Sequence, residues 1–224
     1  MIKHALVLFF TFLIALTSDA TTGCGQVIYG NRRAPLKMTE YASPTCVICS
    51  QFSETIFPEL HRDYIKTGKA MLTVINLPFN AIDLKACVLV SHSPNPQKFN
   101  TFVYQHQKEW LFSKDPLKQL GVLLEKQGMS HKQIKKALKN REIEDRIIKQ
   151  RLIEEQKQNI QAIPLIIIGQ KRIVGLMPWD KLKLVIEEAL QHIKRGNPLE
   201  TFGQNDENKK DTRTTSAPKK RDRA

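Results

Sequence analysis

Residues 37–60 read KMTEYASPTCVICSQFSETIFPEL, and the way this stretch divides decides the fold. The run from Ala34 to Ala42 predicts a strand that leads straight into Cys46. From Val47 to about Tyr64, Ile48, Phe52, Ile56 and Leu60 recur at helical spacing, which predicts a helix bent at Pro58, where a backbone donor is missing. Cys46 and Cys49 therefore stand where a strand hands over to a helix. The first-turn N–H groups there have no intrahelical partner and the helix dipole is positive. A thiolate at Cys46 is stabilised by both, so its pKa falls below that of a free thiol. The three-residue offset brings Cys49 round to the same face, within disulfide reach. Thiol–disulfide exchange needs that arrangement: an accessible nucleophile and a shielded thiol that resolves the mixed disulfide.

Two other readings of Cys-x-x-Cys are weaker. Half a zinc site needs a second ligand pair, and Cys24 and Cys87 have no pair spacing. The histidines do not supply it, since His92, His106 and His131 sit singly along predicted helices. A purely structural bridge over so short a loop would remove little unfolded-chain entropy. Four cysteines in 224 residues are also too few for a disulfide scaffold. Cys87, within the apolar stretch Leu84–Val90, reads as an inert buried thiol; a Cys24–Cys87 pairing stays open.

The chain is 41% hydrophobic, enough for a core, and carries a net charge of +13. The basic residues are scattered and mixed with acids, as in Arg141-Glu142-Ile143-Glu144-Asp145-Arg146. No aromatic-interleaved basic patch appears, so nucleic-acid binding is disfavoured. At the N-terminus, Lys3, the apolar run Ala5–Leu16 and Ser18-Asp19-Ala20 form a secretory signal by pattern, which makes residues 1–20 a cleaved leader and the mature protein exported. Lipidation or anchoring at Cys24 is a weaker reading, because Thr21 stands where lipidation signals usually carry Leu.

Outward from the cysteines, Gln26–Gly30 reads as an edge strand and Ala70–Leu77 as a buried one. Residues from Asn80 to about Gln158 are helical in pattern, and Pro94, Pro96, Pro116 and Gly128-Met129-Ser130 divide them into four or five helices. Ser130 is an N-cap for His131–Leu138. Pro164–Ile168 and Arg172–Gly175 predict a hairpin about Gly169-Gln170, and Trp179–Ile193 an amphipathic helix. Phe99, Phe102 and Trp110 read as core of the helical block. The order describes an α/β sheet, residues 21–202, interrupted at about 80–160 by helices too numerous for a loop. From Gly203 to Ala224 the sequence turns polar and basic, a composition that predicts disorder.

With those residues in hand, Glu40-Tyr41-Ala42-Ser43-Pro44-Thr45-Cys46-Val47-Ile48-Cys49 and Phe52 resemble the active-site strand and helix start of DsbA-family thiol–disulfide oxidoreductases. Ile163-Pro164, with the hairpin through Gly175, resembles that family's cis-proline loop. The likeness runs from about Lys37 to Leu190. It implies a thioredoxin-like fold with an inserted helical domain, Cys46 attacking and Cys49 resolving. It also implies that Glu40 moves the proton of Cys49, that Pro164 is cis, and that the backbone of Ile163 pairs with extended substrate. The implied activity is donation of the Cys46–Cys49 disulfide to reduced proteins in the periplasm, with no metal or organic cofactor. Reoxidation would fall to a membrane-bound, quinone-linked partner of the DsbB type. An isomerase or reductase kept reduced, or a binding protein without turnover, are the competing expectations. Residues 21–35 are too short for the dimerisation domain of known isomerases, which favours a monomer.

One departure bears on strength. The family's most oxidising members carry Pro-His between the cysteines, whereas Val47-Ile48 can neither donate a hydrogen bond nor carry charge. A less oxidising pair is expected, and Val47 and Ile48 suit apolar substrate or partner surfaces.

Overall fold

The computed structural model describes residues 25–204. The expected leader, Cys24 and residues 205–224 lie outside the described residues. Five strands form one sheet: β1 (Gln26–Tyr29), β2 (Leu36–Ala42), β3 (Ala70–Asn76), β4 (Leu165–Ile168) and β5 (Lys171–Val174), in the order β1-β3-β2-β4-β5. Only β2 and β3 run parallel. A parallel pair needs a crossover, which here is α1 (Val47–Thr55) with α2 (Phe57–Leu60). That crossover starts at the C-terminal end of the central strand β2.

The expected bent helix is two helices. Pro58 cannot donate to the carbonyl four residues back, and the first helix stops at Thr55. After α2 a π-helical turn, His61–Ile65, completes the segment. The insertion holds six helices, more than the four or five expected: α3 (Ala81–Ser91), α4 (Pro96–Gln105), α5 (Gln107–Leu111), α6 (Pro116–Lys126), α7 (His131–Leu138) and α8 (Arg141–Gln158). The additional break lies at His106, between α4 and α5, where neither Pro nor Gly marks it. Ser130 forms a full capping box with Gln133 at the start of α7. α9 (Trp179–Lys194) closes the domain.

Strand alternation sorts β2 into two faces. Leu36, Met38 and Ala42 join the main core with Cys49, Phe52, Leu182 and Ile186, while Tyr41 packs on the other face with Ile75, Leu77 and Leu165. Glu40 shares parity with Leu36, Met38 and Ala42. Phe99 and Trp110 are buried in that core, Phe102 packs against it, and Cys87 is a buried free thiol.

The hairpin turn at Gly169 (φ +60°) presses against the segment Leu199–Phe202. A Cβ there would collide with the carbonyl of Leu199, and Gln170 N–H donates to Phe202 at 2.7 Å. Phe202 is buried against the main core, so packing extends to the residue where the composition turns polar.

Candidate active site

Cys46 is the N-cap of α1, with extended backbone (φ −76°, ψ 114°). Its Sγ accepts the backbone N–H of Cys49 at 3.2 Å, the bond a capping oxygen makes at other helix starts. The first turn contains no acidic residue, so the positive end of the helix acts on the sulfur without competition. Cys46 and Cys49 are joined by a disulfide with their Cα atoms 5.2 Å apart. Cys46 is half-buried and Cys49 is 1% exposed. Val47 and Ile48 between them are 41% and 40% exposed, an apolar face beside the reactive sulfur.

Behind the helix the environment reverses. Glu40 is 5% exposed. It lines, with Cys49, a cavity of about 10 Å³, room for one water. Its cross-strand neighbour on β3 is Val74, and among the described residues no cation or hydrogen-bond donor reaches its carboxyl. Burial alone pushes its pKa from 4.5 up to about 8. Tyr104, Asn100 and Tyr29 share that cavity and form a buried polar chain. Tyr104 donates to Asn76 Oδ1 at 2.7 Å, Asn76 Nδ2 donates to Asn100 Oδ1 at 2.9 Å, and Asn100 Nδ2 donates to the Tyr29 hydroxyl at 3.1 Å.

Two residues of the insertion hold the loop between β2 and α1. Asp83, wholly buried in the first turn of α3, accepts four bonds: from Ser43 Oγ and Thr45 N–H, both at 2.8 Å, from Asn80 Nδ2 at 3.0 Å and from Phe79 N–H at 3.1 Å. Gln107 Nε2 donates to the carbonyls of Pro44 (2.7 Å) and Cys46 (3.0 Å). Phe79, fixed by the same carboxylate as Thr45, lies exposed under the Arg151 guanidinium at 4.5 Å. The sequence marked none of these roles. Asn80-x-x-Asp83 signals a helix start, but nothing in the pattern says that the acid also holds a loop forty residues earlier. Tyr29, Asn76, Asn100 and Tyr104 read as ordinary packing until the fold brings them together.

The Ile163–Pro164 peptide is cis. Register places Tyr41 opposite Leu165, so Pro164 enters the sheet at the end where β2 leaves for Cys46. Pro164 is buried and its carbonyl accepts Gly175 N–H at 2.8 Å. Among the described residues, neither the N–H nor the C=O of Ile163 has a hydrogen-bond partner. The register thus places Ile163-Pro164 at the same end of the sheet as the loop that carries β2 into Cys46, Val47 and Ile48, with Cys49 and Glu40 buried. Among the described residues no group of three or more His, Cys, Asp or Glu could hold a metal.

Known proteins resemble the chain over the same span. The thioredoxin family model matches residues 22–188. Disulfide bond formation protein D of Bacillus subtilis is 27% identical, over 78% of this chain and 83% of that protein. A putative protein-disulfide oxidoreductase of Rickettsia felis is 25% identical over 75% of this chain, which spans 62% of that protein's length. Among solved structures, Wolbachia pipientis alpha-DsbA1 superposes with a TM-score of 0.69 at 23% identity, covering 74% of this chain and 91% of that one. Oxidised BdbD of Bacillus subtilis gives 0.65 at 24% identity, covering 75% and 94%.

Proposed function

The chain belongs to the thioredoxin family, among its DsbA-like thiol–disulfide oxidoreductases, and from that premise we propose that it is an exported oxidase that gives its Cys46–Cys49 disulfide to reduced proteins. A substrate thiolate attacks Cys46 Sγ, Cys49 leaves, and a mixed disulfide forms on Cys46. A second substrate thiol then attacks the substrate sulfur, and Cys46 leaves as a thiolate. The observation that carries this reading is the contrast between the two sulfurs. Cys46 caps an uncompensated helix start at the protein edge, while Cys49 is sealed 1% exposed behind it.

Glu40 serves Cys49. A carboxyl whose pKa burial raises to about 8 holds its proton most of the time at neutral pH, releases it readily, and is close to a thiol in proton affinity, the match that general acid–base exchange requires. The unpaired backbone of Ile163 offers an extended substrate one strand-like contact beside cis-Pro164, and Val47 and Ile48 offer it apolar surface. The cycle works in the periplasm on reduced envelope or secreted proteins, as a monomer. A membrane-bound partner of the DsbB type refills the disulfide. No helix among the described residues is long and apolar enough to cross a membrane.

One observation favours a second reading, a reductase or isomerase kept reduced. Val47-Ile48 gives the Cys46 thiolate no side-chain donor, so the reduced form is stabilised by the helix start alone. Oxidation of a model dithiol peptide, reduction of insulin and refolding of a scrambled substrate, assayed side by side, separate the two. Fast dithiol oxidation, lost in Cys46→Ala, supports the oxidase. Insulin reduction or unscrambling without dithiol oxidation supports the second reading, and full activity in Cys46→Ala overturns both.

A further inference from the structure

Exchange leaves one proton to be moved from a sealed place. When the reduced pair is oxidised, the Cys46 thiolate attacks an incoming disulfide, whose S–S bond breaks; the oxidant's first thiolate leaves and a mixed disulfide forms on Cys46. Cys49 then gives its proton to the Glu40 carboxylate and attacks Cys46 Sγ. The Cys46–Cys49 bond forms, the mixed bond breaks, and the oxidant's second thiolate leaves. The pair is oxidised, the incoming disulfide is reduced, and the proton rests on Glu40. For each cycle it must reach water, and for Glu40 to start as a carboxylate it must already have done so once.

The cavity behind Cys49 has a wall in common with an outer pocket. That pocket, about 440 Å³, lies between α2 and α4 and is lined by His61, Lys98 and Gln105 together with Tyr29, Phe57 and Thr101. The last three also line the inner cavity with Glu40 and Cys49. Phe57 carries no group that can pass a proton. Tyr29 and Thr101 do, and their hydroxyls are 3.0 Å apart. Tyr29 Oη also lies 3.1 Å from the Gln97 carbonyl and receives Asn100 Nδ2 at 3.1 Å. The donated amide turns the Tyr29 hydrogen away from Asn100, toward Thr101 or Gln97. Thr101 is half-buried, with one side in the outer pocket.

We propose that Glu40 exchanges its proton with solvent through the hydroxyls of Tyr29 and Thr101, the wall between the Cys49 cavity and the outer pocket. The proposal rests on Glu40 being the acid that serves Cys49. One water in the inner cavity bridges Glu40 to Tyr29; Tyr29 passes the proton to Thr101, and Thr101 to the outer pocket. The amides of Asn76 and Asn100 carry no proton themselves. They hold Tyr29 and Tyr104 in place, which accounts for four polar side chains at a site where apolar ones would cost less to bury. The groups facing Glu40 are Tyr29 from β1, Cys49 from α1 and Tyr104 from α4, with Val74 on β3 uncharged. Asp83 and Cys87 of α3 act on Tyr104; His61 and Lys98 stand at the outer mouth. Burial keeps Tyr29 neutral, its pKa pushed up to about 12, so its hydroxyl both donates and accepts at working pH.

The test follows ring closure in the full-length reduced protein, oxidised by glutathione disulfide at concentrations where the first attack is no longer limiting. Tyr29→Phe and Thr101→Val remove one hydroxyl each. Each is expected to slow closure about tenfold at pH 7, a fraction of what general acid–base groups contribute. The solvent deuterium effect is expected to rise while the reduction potential stays put, because a route alters rates and not the equilibrium. Thr101→Ser should regain the rate, and neither variant should add to the slowing by Glu40→Gln. Parent rates in Tyr29→Phe and Thr101→Val beside a slow Glu40→Gln overturn the route and leave the role of Glu40 standing. Parent rates in all three overturn both. Slowing with a shifted potential and no change in the deuterium effect marks a structural role and also overturns the route.

Discussion

The two sides of the first turn of α1 invert the usual distribution of polarity. The outward side, where the chain meets water, is apolar: Val47 and Ile48 stand exposed beside Cys46. The inward side, where a core is expected, is polar, with Glu40, Asn76 and Asn100 buried and the Tyr29 and Tyr104 hydroxyls among them. The difference teaches where the two halves of exchange chemistry are handled. On the proposed reading, substrate contact and thiolate stabilisation belong to the front, where the helix start supplies the one hydrogen bond that Cys46 Sγ accepts among the described residues. Proton handling, on the same reading, belongs to the back, where desolvation raises the affinity of Glu40 for its proton.

The largest break in that comparison comes from the clamp that joins the two sides. Asp83→Ala leaves the Ser43 hydroxyl and the Thr45 and Phe79 N–H groups without their acceptor. At about 1–3 kcal/mol for the buried Ser43 hydroxyl and about 1 kcal/mol for each of the two part-buried N–H groups, the loss is about 3–5 kcal/mol. Urea unfolding of the oxidised protein measures it, and a loss below about 1 kcal/mol would mean that the loop holds its shape without the insertion.

Glu40→Gln sharpens the account of the back. The folded pKa of Glu40, about 8, lies above its ordinary 4.5, so the native state binds the proton more tightly than the unfolded chain. Its contribution is complete below pH 4.5 and is lost as pH rises through about 8. Removing the charge should flatten stability across that window and leave the variant about 4–5 kcal/mol better off than the parent at pH 9, relative to their difference at pH 4. Parallel pH–stability curves for the two proteins would contradict the desolvated environment assigned to Glu40.

On the front, Val47→Pro with Ile48→His supplies the missing donor. A charge-assisted bond of about 1.5 kcal/mol to the Cys46 thiolate raises the reduction potential by about 30 mV. An unchanged potential in glutathione buffers would mean that the helix start already saturates the thiolate. The smallest effect is expected from Val47→Ser, where roughly half of a side chain's contact is at stake. It should weaken binding of an apolar dithiol peptide by about 1 kcal/mol, read as KM rather than kcat.

Legibility followed how local each feature is. Cys46, Cys49 and the strand–helix junction are written in ten consecutive residues, and the hairpin and closing helix in their own periodicity. Pro58 announced a disturbance, but whether a proline bends a helix or ends it depends on packing, and here α1 ends. His106 divides two helices without Gly or Pro, so no residue type in the sequence marks that break. Asp83, Gln107 and the Tyr104–Asn76–Asn100–Tyr29 chain were illegible for a deeper reason. Each partnership spans 24 to 71 residues — Asn76 with Asn100, Tyr29 with Asn100 — and a buried polar residue looks like an exposed one until the fold closes over it.

The claim at the centre is that Cys46 alone takes the mixed disulfide and Cys49 resolves it. Cys49→Ala, reduced and then mixed with an oxidised cysteine peptide, should accumulate a stable adduct that peptide mapping by mass spectrometry places on Cys46, with Cys87 unmodified. An adduct on Cys87, or no adduct on Cys46 under conditions where the parent protein is fully oxidised, would contradict the account.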